Sequence, residues 1–236
     1  MEIGINLYTL RDLDEPLPNV IERVSTAGYD GVEFAGVEGG PIRETLEETG
    51  LTTAGAHVPI EDLEDEFDRT VETYRDLDCE RLVVPYLPES EFESMEAVEN
   101  TVRKLDDLGD RLAEDGFALH YHNHDHEFTD LGDTTGFEAL CERSSVGLEL
   151  DMGWIRAADR DPAAFLDQYA DRVSLVHLKD TLDGTPVELG EGELDLEKCS
   201  GAAREAGVEW LIYEHDFPEN PLESLKHGME TLRSIE

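Results

Sequence analysis

The sequence predicts a single-domain α/β protein over residues 1–236, a closed (β/α)8 TIM barrel, and three observations predict it. Short apolar runs recur along the whole chain. Stretches with helical spacing lie between them. Glycine repeatedly marks the passage from helix to strand. Alternating strands and amphipathic helices indicate βα units and a parallel sheet.

The runs come in order as "IGINLY" (3–8), "GVEFA" (31–35), "TTAGAHV" (52–58) and "RLVVPY" (81–86), then "FALHYH" (117–122), "VGLELD" (146–151), "VSLVHL" (173–178) and "WLIYEH" (210–215). These are eight candidate strands. Val20, Val24 and Ala27 mark one helical face, and Phe67, Val71, Tyr74 and Leu77 another. Val98, Val102, Leu105, Leu108 and Leu112 mark a third, about four turns long. "AGYDGVEF", "TGLTTAG", "EDGFALH" and "EAGVEWLIY" each set Gly after a helix and before a strand. Gly there takes the left-handed conformation that ends a helix. Eight such units favour closure over an open doubly wound sheet. At 236 residues the chain is slightly short for this barrel, so some helices must be brief. Neither GxGxxG nor GxxxxGK[ST] occurs, so no dinucleotide or P-loop site is indicated.

Composition bounds the partners. Asp and Glu number 58 against 18 Lys and Arg, for a formal net charge of −40. Such a surface repels nucleic acid and anionic membranes, which excludes both as partners. The excess is dispersed, and only four of the basic residues are Lys, a pattern expected of adaptation to high salt. The cysteines, Cys79, Cys141 and Cys199, are three and far apart, as expected of inert thiols in a reducing cytoplasm. No run approaches the length of a membrane span, and the N-terminus lacks a basic leader. The expected setting is therefore cytoplasmic, and a homo-oligomer is compatible with it.

Polar residues collect at the C-terminal ends of the strands, where barrels of this type carry their catalytic groups. Glu33 ends the second strand and His57 the third. The fifth runs into "HYHNHDHEF", with four of the eight histidines within seven residues. Glu149 and Asp151 close the sixth, His177, Lys179 and Asp180 the seventh, and Glu214 and Asp216 the eighth. Alternation puts Glu149 with Asp151, His177 with Lys179, Glu214 with Asp216, and His120, His122 and His124 on the inner face. Leu148, Leu150, Val176, Leu178 and Tyr213 then point out to the helices. Charges inside a barrel must neutralise one another, line a wet cavity or bind a cation. A cation accounts best for mixed imidazole and carboxylate. From separate strands, His122, Asp151, His177 and Glu214 converge as ligands of one divalent metal ion. Mn²⁺, Zn²⁺, Co²⁺ or Fe²⁺ suits that set, and Mg²⁺, which prefers oxygen alone, suits it less.

At these residues the chain resembles the sugar phosphate isomerase/epimerase family, the xylose isomerase-like barrels. The likeness runs through "GINLYTLRD", "GYDGVEFAG", "GLTTAGAHVP", "YHNHDHEF", "LELDMGW", "DRVSLVHLKD", "LGEGELD" and "WLIYEHD". It implies a divalent metal held by Glu, Asp, His and Glu after strands 5 to 8. Asp151, His177 and Glu214 match the last three. His122 stands where the family has Glu in a Glu-x-His pattern, which here reads His122-Asn123-His124. Glu149 or Glu127 would have to supply the missing carboxylate.

The chemistry implied is proton transfer next to a carbonyl. A metal that chelates adjacent carbonyl and hydroxyl oxygens of a sugar acidifies the C–H between them, and a carboxylate removes that proton to give an enediolate. Returning it elsewhere isomerises or epimerises; expelling a β-oxygen eliminates. The expected small-molecule substrate is thus a sugar, a sugar phosphate or a sugar derivative. Glu214 or Glu149 is expected as base, and Lys179 as the group that neutralises the enediolate or binds a substrate anion. Glu33, His57, Asn123, His124, Glu127 and Trp154 are expected around the substrate, Trp154 as an apolar wall. Lys179 paired with Asp180 or Glu149, and Trp154 as plain packing, are the bland readings. His120 and His126 read as structural or solvated. Glycines of the "GEGELD" loop (190–195) either approach a ligand or form a turn into the next helix, the latter being favoured.

The leading reading is a metal-dependent isomerase or epimerase. The alternative is a lyase or dehydratase acting on a keto-inositol or 3-keto-glycoside, toward which His122 leans. A metal-using endonuclease lacks the basic track it would need. A non-catalytic carbohydrate-binding barrel would have no use for Asp151, His177 and Glu214 together.

Overall fold

All eight apolar runs form strands, and they close on themselves. The computed structural model describes residues 1–37 and 39–235. The strands are β1 (Glu2–Asn6), β2 (Gly31–Ala35), β3 (Thr52–His57), β4 (Arg81–Val84), β5 (Ala118–His122), β6 (Gly147–Asp151), β7 (Val173–Leu178), β8 (Asp180–Leu182), β9 (Thr185–Val187) and β10 (Trp210–Tyr213). The order β1-β10-β7-β6-β5-β4-β3-β2 is a closed barrel, every pair parallel. The eighth barrel strand is therefore β10. The pair β8 and β9 is an antiparallel hairpin apart from the barrel.

The helices are α1 (Leu17–Ala27), α2 (Ile42–Thr49), α3 (Ile60–Asp65), α4 (Phe67–Arg75), α5 (Met95–Glu114), α6 (Gly136–Arg143), α7 (Met152–Ala157), α8 (Pro162–Tyr169), α9 (Leu196–Ala206) and α10 (Pro221–Ser234). The five-residue apolar stripe of α5 is buried, and Ser94 caps the helix by accepting from Ala97 N. Several helices are as brief as the chain length requires, α3 and α7 having six residues each. Helix-ending glycines adopt the left-handed conformation, with φ of 94° at Gly28 and 76° at Gly207. No described helix is long and apolar enough to cross a membrane. Cys79, Cys141 and Cys199 are buried free thiols, and burial pushes Cys79 up to about 12.

Two apolar cores result from strand alternation. Leu148, Leu150, Val176, Leu178 and Tyr213 face the helices, within the large outer core. Ala54, Val83, Leu175, Trp210 and Ile212 form a small plug inside the barrel. Two residues further along, the inner faces of β7 and β10 turn polar: Leu175 gives way to His177, and Ile212 to Glu214. A bulge at Val32/Glu33 in the β2–β3 register lets both Ala54 and His57 face inward. The plug leaves no room at Gly31, where a Cβ would lie 2.5 Å from Thr52 O and 2.6 Å from the Trp210 ring. Gly31→Ala is therefore expected to cost about 1–3 kcal/mol in a urea denaturation series. An unchanged midpoint would mean the plug is loosely packed.

Candidate metal centre and catalytic cavity

The strand ends bring the four expected ligands together. His122 is the last residue of β5, Asp151 the last of β6, His177 lies one before the end of β7, and Glu214 follows β10. One donor atom from each lies within 4.8 Å of the other three, and all four residues are buried. His177 Nδ1 is 2.9 Å from Glu214 Oε2. His122 Nε2 is 3.5 Å from Asp151 Oδ2 and 3.9 Å from Glu214 Oε2. These last two separations are too long for hydrogen bonds, but they suit two ligands of one ion bound at about 2.1 Å.

The electrostatics agree. Burial holds His122 neutral, its pKa lowered to about 4, and neither ring nitrogen has a hydrogen-bond partner. A buried neutral imidazole with both nitrogens unpartnered beside two carboxylates is an incomplete arrangement that a cation would complete. Burial would raise Asp151 and Glu214, but Lys179 reverses this, joined by His122 at Asp151 and by His177 at Glu214, so both carboxyls fall below their ordinary values. Asp151 is anchored as well: its Oδ1 accepts from Trp154 N at 2.9 Å, capping α7.

Beside this set lies a second buried ring, Glu33, His57, Glu149 and His177, that shares His177. His177 Nε2 is 2.6 Å from Glu33 Oε2, and His57 Nε2 is 2.7 Å from Glu149 Oε2. Asn6 Nδ2 donates to Glu33 Oε2 at 2.7 Å. Burial and the neighbouring Glu149 raise Glu33 to about 7. Burial opposes charge on His177, yet Glu149, Glu33 and Glu214 raise it well above an ordinary histidine. Carboxylates thus flank both ring nitrogens, which fixes the ring with Nδ1 toward Glu214 and Nε2 toward Glu33.

Against His122 and Glu214 opens a cavity of about 650 Å³, lined also by His57, His124, Lys179 and Asp216 among others. Lys179 Nζ lies 3.1 Å from Asp151 Oδ2 and 2.8 Å from both Glu214 Oε2 and Asp216 Oδ2. Burial would discharge this ammonium, but the three carboxylates more than reverse that and keep it charged. Its partners are thus Asp151, Glu214 and Asp216, not Asp180 or Glu149.

Other expected site residues lie elsewhere. Glu149 and Glu33 are fully buried in the second ring and do not line the cavity. Asn123 ties β5 to β6, accepting from Asp151 N at 3.0 Å. Glu127 accepts from Tyr121 Oη at 2.6 Å and His124 N at 2.9 Å, so it shapes the loop after β5. Trp154 stacks over the ammonium, its ring centroid 4.9 Å from Lys179 Nζ. Among the "GEGELD" glycines, the amides of Gly190 and Gly192 donate to the buried carboxylate of Asp180, which is the turn reading. His120 is structural, bonded to Ser174 at 2.9 Å. His126 bonds to Leu87 O at 2.9 Å.

Sequence reasoning did not single out Asn6, which holds Glu33, or Tyr8 and Tyr86 on the cavity wall, and it named Asp216 at its strand end without giving it a role. Asn6 ends the first strand and Tyr86 follows the fourth, so the strand-end rule applied to the other strands would have found them. Burial, the largest influence on Asp216, raises its pKa on the cavity wall.

Comparison with known proteins agrees with the fold. A rhizopine catabolism protein, MocC of Rhizobium meliloti, is 27% identical, over 93% of this chain and 81% of its own. A sugar phosphate isomerase/epimerase from Parabacteroides distasonis superposes with a TM-score of 0.85 at 19% identity, covering 99% of this chain and 94% of that one. The probable 3-DHS dehydratase AsbF from Bacillus anthracis gives 0.81 at 13% identity, over 99% of both chains. A D-allulose 3-epimerase from Methylomonas sp., in complex with D-allulose, gives 0.75 at 15%, over 100% and 97%. The model of the xylose isomerase-like TIM barrel family matches residues 21–235, and the chain belongs to that family.

Proposed function

We propose that the protein is a divalent-metal-dependent enzyme that moves a proton at the carbon beside a ketone of a sugar or sugar derivative, as an isomerase or epimerase. The observation that carries this reading is the meeting of His122, Asp151, His177 and Glu214, two of which, His122 and Glu214, line the cavity, with His122 unpartnered. These four would hold the ion. An ion held there would supply Lewis acidity toward the carbonyl and hydroxyl oxygens of a sugar, which acidifies the C–H between them. Mixed nitrogen and oxygen donors favour Mn²⁺, Zn²⁺, Co²⁺ or Fe²⁺ over Mg²⁺.

The chain's own groups divide the remaining work. The Lys179 ammonium faces the cavity and neutralises enediolate charge. Glu214 and Asp216 flank it at 2.8 Å, one carboxyl held below and one above its ordinary pKa. Groups whose pKa values are pushed apart suit opposite proton-transfer roles. Glu149, fully buried beside His177, orients its ring and does not meet substrate. Trp154 and the walls limit water at Lys179.

A second reading has a specific support. His122 replaces the family's first Glu, so the symmetric exchange between two carboxylate ligands lacks one partner. A single base with an acid at the leaving oxygen is elimination, the reaction of a dehydratase or lyase on a keto-inositol or 3-keto-glycoside. Incubation of Mn²⁺-loaded protein with ketoses and keto-cyclitols in D₂O tests both. Deuterium at the α-carbon with the carbon skeleton and all oxygens retained supports isomerisation. Loss of water or aglycone supports elimination. No exchange in any substrate would count against both.

Glu33 acts through His177 as a positioning residue. Glu33→Gln keeps the shape but weakens the hold on Nε2, so Mn²⁺ affinity is expected to fall by about 10-fold in equilibrium dialysis. Unchanged affinity would leave Glu33 a purely structural role.

A further inference from the structure

We infer that the cavity takes an uncharged polyhydroxy ketone, a ketose or keto-cyclitol free of phosphate and carboxylate. This rests on the reading of the site given above and narrows its substrate class.

Barrels of this type hold a phosphate with the loops after the seventh and eighth strands and a nearby helix N-terminus. Here amides from each of those places are met by the chain itself. After β7, the amides of Gly190, Gly192 and Leu194 converge on the Asp180 carboxylate at 2.9, 3.0 and 3.0 Å. A carboxylate built into the fold thus occupies the centre of the nest. After β10, Phe217 N donates to His215 Nδ1 at 3.3 Å. At the start of α10, Asn220 Oδ1 accepts from Leu222 N and Glu223 N, and Pro221 has no amide hydrogen to offer.

The side chains point the same way. Among the described residues, the cavity wall carries two permanently cationic groups, Lys179 and Arg69, against Asp62, Glu66, Glu214 and Asp216. Lys179 is surrounded by three carboxylates, and Arg69 is paired with Glu66. A metal ion in the four-ligand set offsets charge at that set only. A phosphate away from that set would meet Asp62 and Glu66 on the cavity wall, with Asp216 beside Lys179 adding a further carboxylate. Hydroxyl groups suit those same carboxylates, which accept their hydrogen bonds. The exposed rings of Tyr8 and Tyr86 beside them suit the C–H faces of a sugar.

The test compares each free 2-ketohexose and 2-keto-cyclitol with its own phosphate ester, on Mn²⁺-loaded protein, by α-carbon exchange and by calorimetric titration. The expected result is exchange and binding with an uncharged compound, and kcat/KM lower by about 100-fold for its ester. Inorganic phosphate at millimolar concentration should not inhibit. The D62N/E66Q variant should narrow the gap between free sugar and ester. An ester that is bound or turned over as well as the free sugar would overturn the inference. Binding of free sugar without exchange would support the inference while removing the proposed reaction, so the two fail separately. Binding of neither form would overturn both.

Discussion

Asp151→Asn is expected to fold normally and to lose both the ion and the activity. Asn is as good a helix cap as Asp, so the bond from Trp154 N to the side-chain oxygen survives. That bond also fixes which way the amide points. The NH₂ group must then occupy the Oδ2 position, 3.1 Å from Lys179 Nζ and 3.5 Å from His122 Nε2. A donor replaces a charged ligand at the centre of the set. Mn²⁺ affinity should drop by at least about 100-fold, and proton exchange by about 1000-fold, with the circular dichroism spectrum unchanged. An Asn variant that binds Mn²⁺ as tightly as the parent would mean that Asp151 serves as a helix cap alone.

Lys179→Met should show that the same carboxylates need a cation to coexist. The side chain is 1% exposed, and removing its charge leaves Asp151, Glu214 and Asp216 facing one another. In EDTA the variant is expected to be less stable by about 3–5 kcal/mol, a fall of about 10 °C in Tm. Added Mn²⁺ should raise the Tm of the variant by more than that of the parent, because the ion supplies the missing charge. The pH dependence has a definite sign. Lys179 depresses the pKa of Asp151 and Glu214, so its contribution is present above their ordinary values of 3.8 and 4.5 and is lost as the pH falls through the depressed ones. The gap between the two proteins is therefore widest at neutral pH and closes in acid. Equal gains from Mn²⁺ in both proteins would separate Lys179 from the ion site.

Much of the barrel was legible because each strand carries its own local signal. "VSLVHL" alternates Leu175 and His177 on one face with Val176 and Leu178 on the other, and both faces are where that period puts them. The metal set followed from the same alternation applied to four strand ends. Less was legible where a residue's partner is remote in sequence. Nothing near Glu33 announces that it meets His177, 144 residues away. Glu149 and Asp151 share a face two residues apart, yet Glu149 meets His57 while Asp151 meets Lys179, and which partner each finds is not written in a period of two. Glu127 and Asn123 looked like cavity groups because they are polar and near His124; their partners, Tyr121 and the backbone of Asp151, are local structure. The hairpin of β8 and β9 had a signal that was passed over, the Asp183-Gly184 turn with φ of 50° and 73°. Its strands have three residues each, too short to show alternation.

Diffraction from crystals soaked in Mn²⁺, recorded at a wavelength where manganese scatters anomalously, tests the central claim most directly. One strong anomalous peak is predicted within bonding reach of His122 Nε2, Asp151 Oδ2, His177 Nδ1 and a Glu214 oxygen. A peak elsewhere, or none in crystals whose protein binds Mn²⁺ in solution, would contradict it.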